Sequence, residues 1–191
     1  MRLDEERESA QRNFDRLMAS LPTRLSEKED RLATQIMRAK TNPATKLESL
    51  YSFMKELYEF ASKHTPCKKG CSGCCHYSVT VSEIEIAYIE KHTQTKRRKE
   101  FLDKRDFHGS PCPFLKHDAC SIYEARPFVC RKHVALTATN TWCSPEISND
   151  EQFPLLRFSE VDKAFDHIRR EGASFGIYDI RQVFGHSETE V

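Results

Sequence analysis

The chain has 191 residues, with 30 Lys and Arg against 29 Asp and Glu and 38% hydrophobic residues. That length suits one compact domain, or a domain with an appendage, and a formal charge of +1 argues against a surface that binds polyanions through bulk charge. The apolar fraction is too high for a disordered chain, and no apolar run is long enough to cross a bilayer.

Residues 1–63 contain no cysteine and read as three amphipathic helices. Ala10, Phe14, Leu17, Met18 and Leu21 recur at helical spacing and predict a first helix that stops before Pro22. Leu25, Leu32, Ile36 and Met37 predict a second, started by Ser26. Asn42-Pro43 places a capping residue before proline at the first helical position. Leu47, Leu50, Tyr51, Met54, Leu57, Tyr58 and Ala61 then form one continuous stripe. These helices read as packed support, and they are also a candidate docking face for a protein partner.

Pro66 to Cys75 is rich in turn residues, and Gly70 and Gly73 allow positive φ there. A short strand is expected over Tyr77 to Val81. Ser82-Glu83-Ile84-Glu85 is a capping-box pattern that opens a helix to His92, with Ile84, Ala87 and Tyr88 on one face. Thr93 to Lys104 reads as further surface helix. Its basic run Lys96-Arg97-Arg98-Lys99 reads as a solvated face rather than a nucleic-acid site, since no aromatic interleaves it. Phe107 to Asp118 reads as a loop, and Ile122 to Cys130 as a turn or broken helix across Pro127. Ser159 is expected to cap a helix carrying Val161, Phe165 and Ile168 and ending at Gly172. Ile177 to Phe184 reads as one more short helix, and Ser187 to Val191 as a frayed end.

All eight cysteines fall between residues 67 and 143. Four lie in Cys67-x3-Cys71-x2-Cys74-Cys75, and Cys112, Cys120, Cys130 and Cys143 follow. Met1 to Arg7 shows no apolar leader, so a cytoplasmic chain with reduced thiols is expected, and clustered reduced thiols commonly hold metal. Short loops between donors lower the entropic cost of convergence. The spacing is neither that of a paired zinc ribbon nor a ferredoxin run, so it points to metal without naming it. Neighbouring side chains diverge in a strand or a helix. Cys74 and Cys75 therefore feed two sites, or one of them packs inertly. Cys143, remote in sequence, is the leading candidate for a structural thiol. His76, His117 and His133 are alternative ligands. No dinucleotide fingerprint, phosphate loop or zinc-protease motif is present.

Three blocks carry a resemblance: Cys67-x3-Cys71-x2-Cys74-Cys75, Cys112-Pro113-Phe114-Leu115, and Cys120-Ser121-Ile122-Tyr123-Glu124-x-Arg126-Pro127-x2-Cys130-Arg131. Together they resemble the YkgJ-type cysteine-cluster family, a zinc- or iron-chelating domain, and more distantly a flagellin lysine N-methylase. The resemblance implies Cys67, Cys71, Cys74, Cys75, Cys112, Cys120 and Cys130 as metal ligands; Cys143 lies outside it. Beside it, Arg126 and Arg131 are expected to offset thiolate charge, because a zinc ion with four thiolates remains dianionic.

The expected molecule is mainly α, with N-terminal helices packed on an irregular cysteine-rich metal-binding core. Its expected segments are a helical 1–63, a cysteine-cluster domain at 64–145 and a C-terminal helical extension of the same domain at 146–191. The expected function is binding of zinc or iron, including an iron–sulfur cluster. The alternative is an iron–sulfur oxidoreductase or a lysine methylase-like protein-modifying enzyme. The chain carries no glycine-rich loop suited to S-adenosylmethionine, and no catalytic residue is assigned.

Overall fold

The computed structural model describes residues 3–148 and 153–185. The expected frayed end lies outside them. Among the described residues, no helix is long and apolar enough to cross a membrane.

Three long helices open the chain: α1 (Leu3–Ser20), α2 (Thr23–Arg38) and α3 (Pro43–Ala61). The Asn42 side chain accepts from Thr45 N–H at 2.9 Å, and Pro43 takes the first turn, where a missing N–H costs nothing. The second helix begins at Thr23, three residues before the expected Ser26. The Pro22 carbonyl already accepts from Leu25 and Ser26 N–H, at 2.8 and 3.1 Å. Met18 and Met37, expected on the inner stripes, are exposed instead.

These helices form one apolar core with a later helix, α7 (Ser159–Glu171). Leu17, Leu47, Leu50, Met54, Leu57 and Ile168 are fully enclosed there. The Phe128 and Phe165 rings stack at 3.9 Å. Ser159 is the first residue of α7 rather than its cap, which is Phe158, and the acceptor comes from α2: Glu29 Oε1 accepts from Glu160 N–H at 2.9 Å. A carboxylate at a helix N-terminus also meets the positive end of its dipole. At the other end, Lys46 of α3 is buried and reaches Glu171 at 2.6 Å. Gly172 closes the helix, and Ala173 takes the left-handed conformation, at φ 48°.

A second, smaller core holds Val79, Val81, Ile86, Ile89, Phe114, Ile122, Ile180 and Phe184. Strand β1 (Thr80–Ser82) lies slightly beyond the expected stretch, and α4 (Glu83–His92) follows it. The capping box is present, with Ser82 and Glu85 bonded reciprocally. Ala87 is exposed. Ile84 and Tyr88 pack on the first core while Ile86 and Ile89 fill the second. Helix α4 is therefore packed on two sides, which is why a single-stripe reading misplaces its inner face.

Glu85 fastens the seam between the cores. It accepts from Ser82 N–H at 2.9 Å, Ser82 Oγ at 2.7 Å, Tyr51 OH at 3.1 Å and Phe128 N–H at 2.8 Å. Burial raises its carboxyl pKa, and these donors oppose that rise.

The expected helix over Thr93 to Lys104 does not form. Arg98 N–H donates to Val183 O at 2.8 Å and Leu102 N–H to Gln182 O at 3.0 Å, so partners far along the chain take the bonds a helix would need. Nor is the basic run free: Arg97 pairs with Glu83 and Glu90, at 2.7 and 2.8 Å.

The predicted loop before Cys120 contains a small hairpin, β2 (Leu115–Lys116) and β3 (Ala119–Cys120). His117 and Asp118 turn it with φ of 49° and 56°, the signs of a type I′ turn. Beyond Pro127 runs α5 (Phe128–Lys132), and α6 (Pro145–Ser148) follows the cysteines. The last segment, expected as one helix, is β4 (Ile177–Asp179) paired antiparallel with β1, then α8 (Ile180–Val183).

Candidate metal centre

Helix α3 runs through a single 3-10 turn, Ser62–His64, and delivers the chain to Cys67. Cys67 Sγ accepts from Ala135 N–H at 3.3 Å. Gly70, at φ 94°, reverses the chain, and Cys71 N–H closes the turn on Lys68 O at 3.0 Å. Asn140 Nδ2 approaches Cys71 Sγ at 3.6 Å. N–H donors near sulfur favour the thiolate that a metal needs.

Cys74 and Cys75 sit in a second 3-10 turn, Gly73–His76. At three residues per turn, adjacent side chains diverge by about 120°. Gly73 does not use the positive φ expected of it. Its glycine serves close approach instead: a Cβ there would stand 2.8 Å from the Cys143 carbonyl oxygen. Tyr77 OH donates to the same carbonyl at 2.9 Å. Two contacts thus bring remote Cys143 to the 67–77 segment.

The remaining thiols gather on the other side of the Cys74-Cys75 step. Cys112 N–H donates to Cys75 O at 2.8 Å. Strand β3 carries Cys120, opposite Leu115, and α5 carries Cys130. Arg181 of α8 clasps this side. Its buried guanidinium donates to Pro111 O and Cys75 O, both at 3.1 Å, and to Ser110 O. Asp179 holds it at 3.1 Å while accepting from Val79 N–H at 2.9 Å. Sequence reasoning missed Arg181; the only local signal is the Asp179–Gln182 capping box that starts its helix.

The thiols sense one another electrostatically in a definite pattern. Cys143 responds to Cys67 and Cys71. Cys130 responds to Cys112, Cys120 and Cys75. Cys74 lies between, responding to Cys130, Cys75 and Cys67. Burial pushes Cys112 and Cys143 up to about 12 and raises Cys67, Cys120 and Cys130 as well. Cys75 departs from this. A hydrogen bond from Cys74, helped by Arg126 and Arg181, lowers it to about 7, and the same bond raises Cys74. Buried neutral thiols are inert; a bound cation reverses that preference by stabilising thiolate.

Arg126 and Arg131 both stand at this centre and give N–H groups to carbonyls. Arg126 donates to Tyr123 O at 3.0 Å and lies 3.6 Å over the Tyr123 ring. Its charge lowers the pKa of Cys67, Cys75, Cys120 and Cys130. Arg131 is buried, bonded to Arg126 O at 2.7 Å and to Glu124 O, and stacked 4.2 Å over Tyr51. Its charge opposes the rise that burial causes at Cys120. Among the candidate histidines, His133 is half-buried, edge-on to Tyr77 at 5.3 Å, with its pKa lowered by burial. His117 is exposed in the hairpin turn, and the His76 carbonyl accepts from Gly109 N–H at 2.8 Å.

All eight cysteines are unpaired. Among the described residues, no three His, Cys, Asp or Glu side chains stand together as a preformed metal cage. The donor chemistry nevertheless fits zinc or iron, both of which take thiolates. A cavity of about 220 Å³ is lined by Cys67, Cys71, Cys74 and Cys130, so this part of the site remains approachable from outside.

Residues 66–148 match the family model CxxCxxCC, described as a putative zinc- or iron-chelating domain. The match spans every cysteine and agrees with the cysteine-cluster resemblance of the sequence. No curated protein and no solved structure matches the chain. The match covers less than half of the chain and supports metal binding by this cysteine-rich segment, without deciding between zinc and iron.

Proposed function

We propose that the chain holds zinc or iron through Cys67, Cys71, Cys74, Cys75, Cys112, Cys120 and Cys130, and that the metal organises the loop-rich middle of the molecule. One observation carries this reading: Cys75, Cys112, Cys120 and Cys130, from four separate segments, pack on one apolar core, with Cys112 N–H bonded to Cys75 O at 2.8 Å and the Arg181 guanidinium bonded to the same carbonyl. Cation, thiolate and guanidinium together resolve a charge problem that buried thiols alone would avoid by staying protonated. Bound metal would add crosslinks between segments that already meet at the smaller apolar core. Binding of a structural zinc is worth about 10–16 kcal/mol, which here would act as folding energy.

A second reading, an iron–sulfur enzyme, has one specific support. The cavity along Cys67, Cys71, Cys74 and Cys130 opens onto sulfur rather than sealing it, and redox or catalytic centres require such access. The test is anaerobic isolation followed by elemental analysis and a visible spectrum. Stoichiometric zinc in a colourless protein supports the structural form. Iron with acid-labile sulfide and a brown colour supports the cluster form. Isolated protein with neither metal would contradict both.

A further inference from the structure

We propose that the cysteines form two separate centres: Cys75, Cys112, Cys120 and Cys130 make one, and Cys67, Cys71, Cys74 and Cys143 make the other. This rests on the metal-binding reading and deepens it, because it makes Cys143 a ligand and divides one cluster in two.

Packing makes the division. Cys112 belongs to the smaller apolar core, and Cys75, Cys120 and Cys130 pack against that same core. Cys67 packs against the other core, the one made by the long helices. The two apolar cores thus carry different thiols. Backbone geometry agrees. Cys75 and Cys112 are joined by the 2.8 Å bond from Cys112 N–H to Cys75 O, and Arg181 holds Cys75 O and Pro111 O with one guanidinium.

The other set is gathered by the 3-10 turn Asn140–Cys143. Asn140 reaches Cys71 sulfur from one end of that turn. Cys143 lies against Gly73 at the other, at a separation that admits no side chain. Cys67 accepts from Ala135, on the strand of chain leading into the turn. Cys74 is the remaining donor, and it completes this set as the fourth thiol. Neighbours in a 3-10 turn stand about 120° apart around its axis, which lets Cys74 and Cys75, though hydrogen-bonded to each other, serve different ions. Four thiolates per centre is the ligand count of a structural zinc or a four-cysteine cluster.

The experiment strips the full chain under reducing, anaerobic conditions and titrates it with cobalt(II) alone. Cobalt reports thiolate coordination by charge-transfer and d–d absorption. The expected result is two equivalents in the unaltered chain and one in each of Cys143→Ser and Cys112→Ser. Gly73→Ala should weaken only the centre that Cys143→Ser removes, and Arg181→Gln only the other. Cys143→His, which keeps a ligand, should retain both equivalents with the d–d bands of one shifted. That variant decides the matter if the serine form does not fold by circular dichroism. A single equivalent in the unaltered chain would overturn the division while leaving a metal protein. Two equivalents in Cys143→Ser would overturn the role of Cys143, as would an unshifted spectrum in Cys143→His. Loss of both equivalents in one folded variant would overturn the independence of the centres. No thiolate absorption in the unaltered chain would instead overturn the metal-binding reading.

Discussion

The helical half and the cysteine half solve the same problem by different means. Helices α1, α2, α3 and α7 enclose leucine, isoleucine and methionine side chains completely, so burial of apolar surface holds them. The cysteine half has short elements and a smaller core, and side chains bonded to backbone carbonyls hold its loops. Such bonds contribute about 1 kcal/mol each, too little to fix long loops unaided. A region whose apolar content is low needs another source of order, and the cysteines are where that source would act.

Stripping metal should break the comparison most sharply. Chelation under reducing conditions should open the 66–145 region to protease while the long helices stay resistant, a difference on the order of 10 kcal/mol in local stability. Leu50→Ala should do the reverse, costing about 2–5 kcal/mol in denaturant unfolding of the helical half without changing metal content. Glu85→Ala attacks the seam. It strands the donors of Tyr51, Ser82 and Phe128, and should cost roughly 3 kcal/mol and couple the two halves' losses. Gly73→Ala should cost about 1–3 kcal/mol, because the added Cβ meets the Cys143 carbonyl.

The smallest effect concerns pH. Lys46, first among its neighbours, lowers the pKa of exposed Glu171 through a hydrogen bond. A lowered carboxyl stabilises the fold above its ordinary value and loses that contribution as pH falls through the depressed one. Acid titration of thermal stability should therefore show a shallow loss below the ordinary carboxylate range. Lys46→Met should flatten it.

The helical half was legible because its signals are local. Asn42-Pro43, the stripe from Leu47 to Ala61 and the Ser82–Glu85 box all form as read. What failed depends on distant partners. Thr93 to Lys104 has helix-compatible composition, but Val183 and Gln182 claim its N–H groups. His117-Asp118 turns a hairpin without the Asn-Gly or Gly signals that mark most such turns. Within the site, local spacing singled out the 67–75 segment, which the fold places against Cys112 and Cys143. Arg181 and the contact between Gly73 and Cys143 escaped, since neither leaves a trace in nearby sequence. Distance along the chain set Cys143 apart; in the fold it sits against the first cysteine loop.

Native mass spectrometry of the anaerobically isolated chain tests the central claim most directly. The account predicts a mass above that of the polypeptide by bound zinc, iron or an iron–sulfur cluster, with the excess lost on acid unfolding. A folded chain whose native mass equals that of its polypeptide alone would contradict it.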